Sequence, residues 1–317
     1  MAVLVIDRRD TVLDCSGGRL AVRVSEQPVR HVPLALVDRV VVHAGISLSS
    51  RVLCELGKVG APVMLFRPRR QELAAIVLPA PHKDIRIRQG QFLLAGDDAL
   101  RTRLVLLLLR ARARAQLRHC RQALSGRPAQ RRSLKAIERE LLRFPSRLTE
   151  DSSMDGLRGH EGCLARLDFD QLRVLLPASA GFEGRNRRPP RDPANALVSL
   201  GATLLVAEAT ASCWQAGLDP YLGFYHEPAH GRPALACDLV EPLRPALHAW
   251  IAELFNSQTL RDRDFSQDDQ DGCRLRKAGR ERFYANWVEW NRQAAGWLRR
   301  RSSGLARLCR RGADGQG

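Results

Sequence analysis

Residues 79–84 read PAPHKD, and the chain changes character across them. Prolines 79 and 81 stop the elements on either side, because proline fixes φ and has no backbone N–H to donate. Upstream, AVLVI (2–6), RLAVRV (19–24), RVVVH (39–43) and APVMLF (61–66) are short β-branched runs. They are broken by DRRD, SGG, EQP and GKVG, which carry turn chemistry. A helix over 49–56 interrupts them. Downstream, leucines recur at helical spacing from Arg101 to Leu148, and Gly126-Arg127-Pro128 divides that stretch into two helices. The split predicts an α+β chain: a β-rich domain over 1–80, a linker over 81–90, and a larger all-α domain over 91–301.

Further helices follow from local signals. One is predicted over 154–175. Asp192-Pro193 starts another, with Asp as N-cap and Pro in the first turn, and Gly217 lies past its end. A helix beginning at Pro245 has Leu247, Trp250, Ile251 and Leu254 on one face. Phe283, Trp287, Trp290, Ala294 and Trp297 form a stripe at three-to-four spacing that reads as packing. Six arginines follow from Arg299 before a glycine-rich end, so residues 302–317 are expected to form a basic, disordered tail.

The chain has 317 residues, 51 Lys+Arg against 34 Asp+Glu, and a formal net charge of +17. That surplus calls for a polyanionic partner, nucleic acid first. It is concentrated at 101–148, where fourteen Lys/Arg face two Glu. Residues 1–80 hold only eleven bases and seven acids. The eight cysteines form no C-x-x-C pair, which argues against a zinc ribbon or a disulfide framework. MAVLVIDRR lacks the apolar core of a secretory signal, and the longest aliphatic run, LVLLLL at 104–109, is far short of the ~20 residues that span a bilayer. A soluble cytoplasmic protein is expected.

Within this basic chain, residues 221–245, YLGFYHEPAHGRPALACDLVEPLRP, gather His226, Glu227, His230, Asp238 and Glu241. HEPAH matches the H-E-x-x-H zinc-protease pattern. That chemistry needs a helix to put both histidines on one face. Pro228 inside the motif, and Gly231-Arg232-Pro233 after it, exclude one. A different cation site remains open. Asp238 ends the apolar run ALAC, where it either caps the next helix or binds a cation. Glu241 can cap too, or support the site. On the 154–175 helix, Glu161 and Asp168 fall on the apolar stripe of Met154, Leu157, Leu164, Leu172 and Leu175. A carboxylate there needs either a metal or an arginine partner, and spacing leaves both open. Glutamate, aspartate and one imidazole suit Mg²⁺ or Mn²⁺, which can activate a hydroxyl and polarise a phosphodiester.

GHEGCLARLDFD, then GRNRRPPRDPANALVSLGATLL, then GLDPYLGFYHEPAHGRPALACDLVEPLRP resemble the CRISPR-associated integrase family, the metal-dependent DNA endonucleases of CRISPR adaptation. The likeness is close over 156–245, and looser over the β-rich start, the helical remainder and GCRLRKAGRERFY (272–284). It implies that Glu161, His226 and Asp238 are the catalytic metal ligands, with Asp168 structural and Glu241 and Asn195 supporting. It further implies that the block Arg185, Asn186, Arg187, Arg188, Pro190, Asp192, Asn195 orders the site and touches the DNA backbone. Arg112, Arg114 and Arg118 of the basic stretch are assigned to DNA as well. Ala202, where many family members carry an aromatic, puts an aromatic–DNA contact there in doubt. By the same resemblance the β-domain precedes a catalytic helical domain. The partners implied are double-stranded and branched DNA, a second copy of the chain, and a small ferredoxin-like adaptation protein in a heterohexamer. The implied reaction is spacer insertion by 3′-OH attack on a phosphodiester. A non-catalytic nucleic-acid binder and a transposon-type integrase are the rival readings.

Overall fold

In the computed structural model, residues 2–67, 72–149, 152–186, 189–268 and 272–314 are described. The chain is α+β, as the sequence predicts. β1 (Ala2–Ile6), β5 (Val37–Val42), β7 (Val63–Phe66) and β8 (Leu73–Val77) form one sheet in the order β1-β5-β7-β8. Its first three strands are parallel, and β8 returns antiparallel. A second sheet runs in the order β4 (Arg30–Pro33), β3 (Arg19–Arg23), β2 (Val12–Ser16), β6 (Ser47–Leu48). The helix expected over 49–56 is α1 (Ser50–Lys58).

Strand alternation explains how this domain serves two cores. Val40, Val42 and Val63 point into a cluster with Leu13, Leu20, Val52 and Leu56 inside the β-domain. Val41, Met64 and Phe66, one residue out of phase, join the core of the helical part. Both faces of the parallel strands are therefore buried, which is why VVV and VMLF read as continuous apolar runs. Arg39 of β5 reaches across the same boundary to Glu208, where both side chains are 6% exposed.

The helical part comprises α2 (Arg86–Gly96), α3 (Asp98–Gly126), α4 (Arg131–Arg147), α5 (Met154–Leu175), α6 (Pro193–Gln215), α7 (Ala234–Val240), α8 (Arg244–Asn256) and α9 (Lys277–Asp314). α5 has the predicted limits. Asp192 caps α6, accepting from the Asn195 N–H at 2.8 Å, with Pro193 in the first turn. Gly217 takes φ +86° after its end. α6 is long and apolar enough to cross a membrane, which LVLLLL is not, yet most of it is buried in this fold. An all-round apolar helix at the centre of a core has the same signature.

Three expectations need correction. The 81–90 linker is partly helical, because α2 begins at Arg86. The helical part is not all-α, since β9 (Phe265–Ser266) and β10 (Arg274–Leu275) form a small antiparallel ribbon. Residues 302–314 are not a disordered tail. They complete α9, whose buried face continues from Phe283, Trp287 and Leu298 through Ser302, Ala306 and Cys309. Arginines between those positions face solvent and conceal the stripe in the composition. The expected packing of Trp287 and Trp290 holds, with Trp250 of α8 set against both rings.

α9 packs along α2, and Gly90 makes the close approach possible: a methyl group there would overlap the carbonyl of Cys309. Replacing Gly90 by Ala raises helix propensity by about 1 kcal/mol, but forcing two backbones apart costs about 3 kcal/mol or more. The expected net result is a destabilisation of about 2 kcal/mol, read as a lower urea midpoint at unchanged m-value.

Candidate metal centre

His226 and Asp238 meet through a loop held by a carboxylate. Asp238 lies inside α7 and is buried, not at the helix-capping position the spacing offered. Its Oδ2 accepts the backbone N–H groups of Phe224 (2.7 Å) and Tyr225 (3.0 Å). Its Oδ1 accepts the N–H of His226 (2.9 Å) and lies 2.7 Å from His226 Nδ1. Four donors fill the four lone-pair sites of the carboxylate. The loop comes this close because residue 223 is glycine; a Cβ there would lie 2.9 Å from Asp238 Oδ2. With Nδ1–H directed at Asp238, the imidazole lone pair resides on Nε2, the tautomer that ligates a metal.

Glu161, on α5, is only partly buried. Its Oε1 accepts from Arg112 Nη1, and the same Nη1 donates to Glu241 Oε2. Arg112 stands on the buried side of α3 at 2% exposure. Glu241 also accepts from Arg244 Nε at 2.6 Å. Burial by itself would raise the Glu241 carboxyl, but Arg244, Arg112 and His226 outweigh it and hold the pKa at about 2. Burial likewise favours a neutral Arg112, and Glu241, Asp168 and Glu161 reverse that, keeping the guanidinium firmly charged. Behind Arg112, Asp168 Oδ2 lies 3.0 Å from His248 Nδ1, both nearly fully buried.

The three predicted ligands therefore fall in two separate pairs, His226 with Asp238 and Glu161 with Arg112, and Glu241 shares Arg112 with the second pair. Among the described residues, no three His, Cys, Asp or Glu side chains converge closely enough to hold a metal ion. The spacing left metal and arginine open for Glu161; the arginine partner is present. The donor chemistry still suits a hard divalent cation, with His226 Nε2 clear of its Asp238 contact and the Glu161 carboxylate partly open to solvent.

The remaining assignments divide. Arg112 is no surface contact, contrary to its assignment to DNA. Its place was legible: it continues the buried series Val105, Leu109, Arg112, Gln116, Cys120 at three-to-four spacing. Arg114 and Arg118 are exposed on the opposite side of α3. Arg185 orders its own loop, donating to Asn195 Oδ1 (2.7 Å) and Ser199 Oγ (3.1 Å). Asn195, fully buried, also donates to the Gly184 carbonyl (2.8 Å) and Asp192 Oδ2 (2.6 Å), which accounts for its supporting place. Arg187 and Arg188 lie outside the described residues.

HEPAH is a loop. Glu227 is clamped by Arg101 of α3 (2.9 Å) and Arg158 of α5 (2.5 Å), and His230 is exposed, so the protease geometry is absent. The sequence reading missed both arginines of that clamp. Their charge runs gave no cue to it.

The model described as CRISPR associated protein Cas1 matches residues 4–289. The CRISPR-associated endonuclease Cas1 1 of Thermodesulfovibrio yellowstonii is 30% identical over 313 residues, 97% of this chain and 96% of that one. The fold superposes on a casposase bound to integration product with a TM-score of 0.81, at 20% identity, covering 96% of this chain and 91% of that one. It also superposes on a chain of a Cas6-RT-Cas1–Cas2 complex with a TM-score of 0.76, at 23% identity, covering 97% of this chain and 35% of that one. The structural likenesses speak for the fold. The sequence match extends over nearly the whole length, through the α5 glutamate and the Asp238-held loop alike, and by it the chain belongs to the Cas1 family.

Proposed function

We propose that this Cas1, a DNA endonuclease and integrase by family, works with a divalent cation, Mg²⁺ or Mn²⁺, and inserts spacers into a CRISPR array. The observation that carries this reading is the His226–Asp238 pair, whose bonding fixes the imidazole with its Nε2 lone pair available. Glu161, His226 and Asp238 would hold the ion, Asp238 by exchanging one of its present backbone donors for it. When bound, such an ion polarises a phosphodiester and stabilises the departing oxyanion. Asp238 orients the imidazole and anchors the loop that carries it, while Arg112 and Glu241 hold Glu161. The incoming 3′-OH gives up its proton to water and attacks phosphorus, a P–O bond forms as the P–O3′ bond of the target strand breaks, the departing O3′ takes up a proton to become a 3′-OH, and no covalent enzyme intermediate arises.

Exposed bases of α3 and α4, among them Arg114, Arg118, Arg132 and Arg139, supply phosphate contacts that fix position and not sequence. Branched and double-stranded DNA is the substrate class. We place the reaction in a prokaryotic cytoplasm, with a homodimer and a small Cas2-like partner. The likeness to a chain of the Cas6-RT-Cas1–Cas2 complex supports that partner. The near-full-length Cas1 relative favours CRISPR adaptation over a transposon-type reaction.

The test is cleavage and strand transfer on branched DNA with Mn²⁺, repeated with EDTA and with Glu161→Gln. EDTA should abolish both activities, and Glu161→Gln should lower them by at least about 100-fold. Undiminished turnover in both controls would remove the metal mechanism, and an inert intact protein that still binds DNA would favour the non-catalytic binder.

A further inference from the structure

Arg101 of α3 and Arg158 of α5 come from different helices and converge on a single oxygen, Glu227 Oε1, at 2.9 and 2.5 Å. Each is also held without that glutamate. Arg101 Nε donates to the Phe224 carbonyl at 2.6 Å, and Arg158 Nη1 donates to Asp155 Oδ1 at 2.7 Å. Glu227 has no second anchor: its Oε2 accepts no hydrogen bond among the described residues, and its side chain is 58% exposed on a loop. No hydrogen bond or ion pair among the described residues joins the three to Glu161, Asp238 or Glu241, so they form a cluster of their own. The arginines, Arg101 foremost, hold the Glu227 carboxyl below the usual carboxylate range, so it carries one full negative charge.

A phosphodiester also carries one negative charge. Exposed ion pairs such as these are weak, because water screens them and each long side chain loses freedom on pairing. Guanidinium–phosphate forks are charge-assisted in the same way, and they also release the counterion condensed on the nucleic acid. We propose that Arg101 and Arg158 form a clamp for one backbone phosphate of DNA, and that Glu227 fills it as a stand-in until that phosphate displaces it. This rests on the DNA-binding reading above and not on the cation. One monoanion replaces another, so the net charge of the clamp does not change. The guanidinium groups keep their Phe224 and Asp155 anchors throughout, and Glu227 prevents their mutual repulsion in the free protein.

The experiment measures binding of the intact protein to labelled branched DNA by fluorescence anisotropy in EDTA, which keeps the result independent of any metal. Both side chains to be changed are exposed, so the fold is not at stake. Arg158→Ala should weaken binding and flatten the slope of log K against log salt by about 1. Glu227→Gln should tighten binding by about threefold or more, since the seat no longer has to be vacated. A carboxylate that only repels DNA from nearby would give the same sign, and the double variant separates the two. In the Arg158→Ala background the gain from Glu227→Gln should fall to less than about half its size. Simple repulsion would keep the gain whole or enlarge it, because an acid relieved of its arginine repels more strongly. An undiminished gain therefore overturns the proposal, as does a Glu227→Gln protein that binds no tighter than wild type. Wild-type protein that binds no branched DNA removes the DNA-binding reading itself, and the clamp with it.

Discussion

Asp238→Ala is expected to lower the unfolding free energy by about 3–5 kcal/mol and to abolish strand transfer together. The carboxylate accepts three consecutive backbone N–H groups, from Phe224, Tyr225 and His226. Removing it leaves the buried ones without an acceptor, at about 1–3 kcal/mol each. It also frees the His226 ring, so Nε2 is no longer fixed as the ligating nitrogen. Asp238→Asn separates the two effects. Its single amide oxygen can serve only part of the cage, and its NH₂ must face other donors, so a smaller loss of about 2 kcal/mol is expected with activity still abolished. Urea denaturation beside a strand-transfer assay reads both. An Asp238→Ala protein within about 1 kcal/mol of wild type, on the scale of one hydrogen bond, would mean that the loop is held by something else.

The second large effect lies far from the candidate centre. Arg39 on β5 and Glu208 on α6 are paired where almost no water reaches. Burial draws the Arg39 pKa down to about 10, below the ordinary arginine value. Arg39→Met strands the Glu208 carboxylate in the interior, which should cost about 3–5 kcal/mol. Arg39→Met/Glu208→Leu removes both charges and should recover most of that, because well-packed apolar pairs often match buried ion pairs in stability. The cycle is read from urea midpoints of the two variants. A double variant as unstable as the single would show that the site depends on volume and not on charge.

The sequence shows some of this and hides the rest for identifiable reasons. The limits of α5 and α6 were legible because caps, prolines and glycines act within one turn of the chain. Asp192, Pro193 and Gly217 need no distant partner to do their work. The acid–imidazole–acid set was legible as residue types. Its bonding was not, since Asp238 closes on a loop twelve to fourteen residues back and Glu161 on a helix forty-nine residues away. Arg112 was assigned to DNA because fourteen bases against two acids point to a surface that contacts nucleic acid throughout, although one of those bases continues a buried stripe. The end of α9 was misread in the same way, with small buried residues set between arginines.

That last helix has a consequence for the approach of any polyanion. Arg299, Arg300, Arg301, Arg307, Arg310 and Arg311 stand on the outer side of a rod whose inner side is anchored in the protein's core. A trailing segment would have to surrender its own wandering before gripping a ligand, whereas these guanidinium groups are already laid out along a fixed line. That flank thus carries a standing electric relief, present before any contact is made.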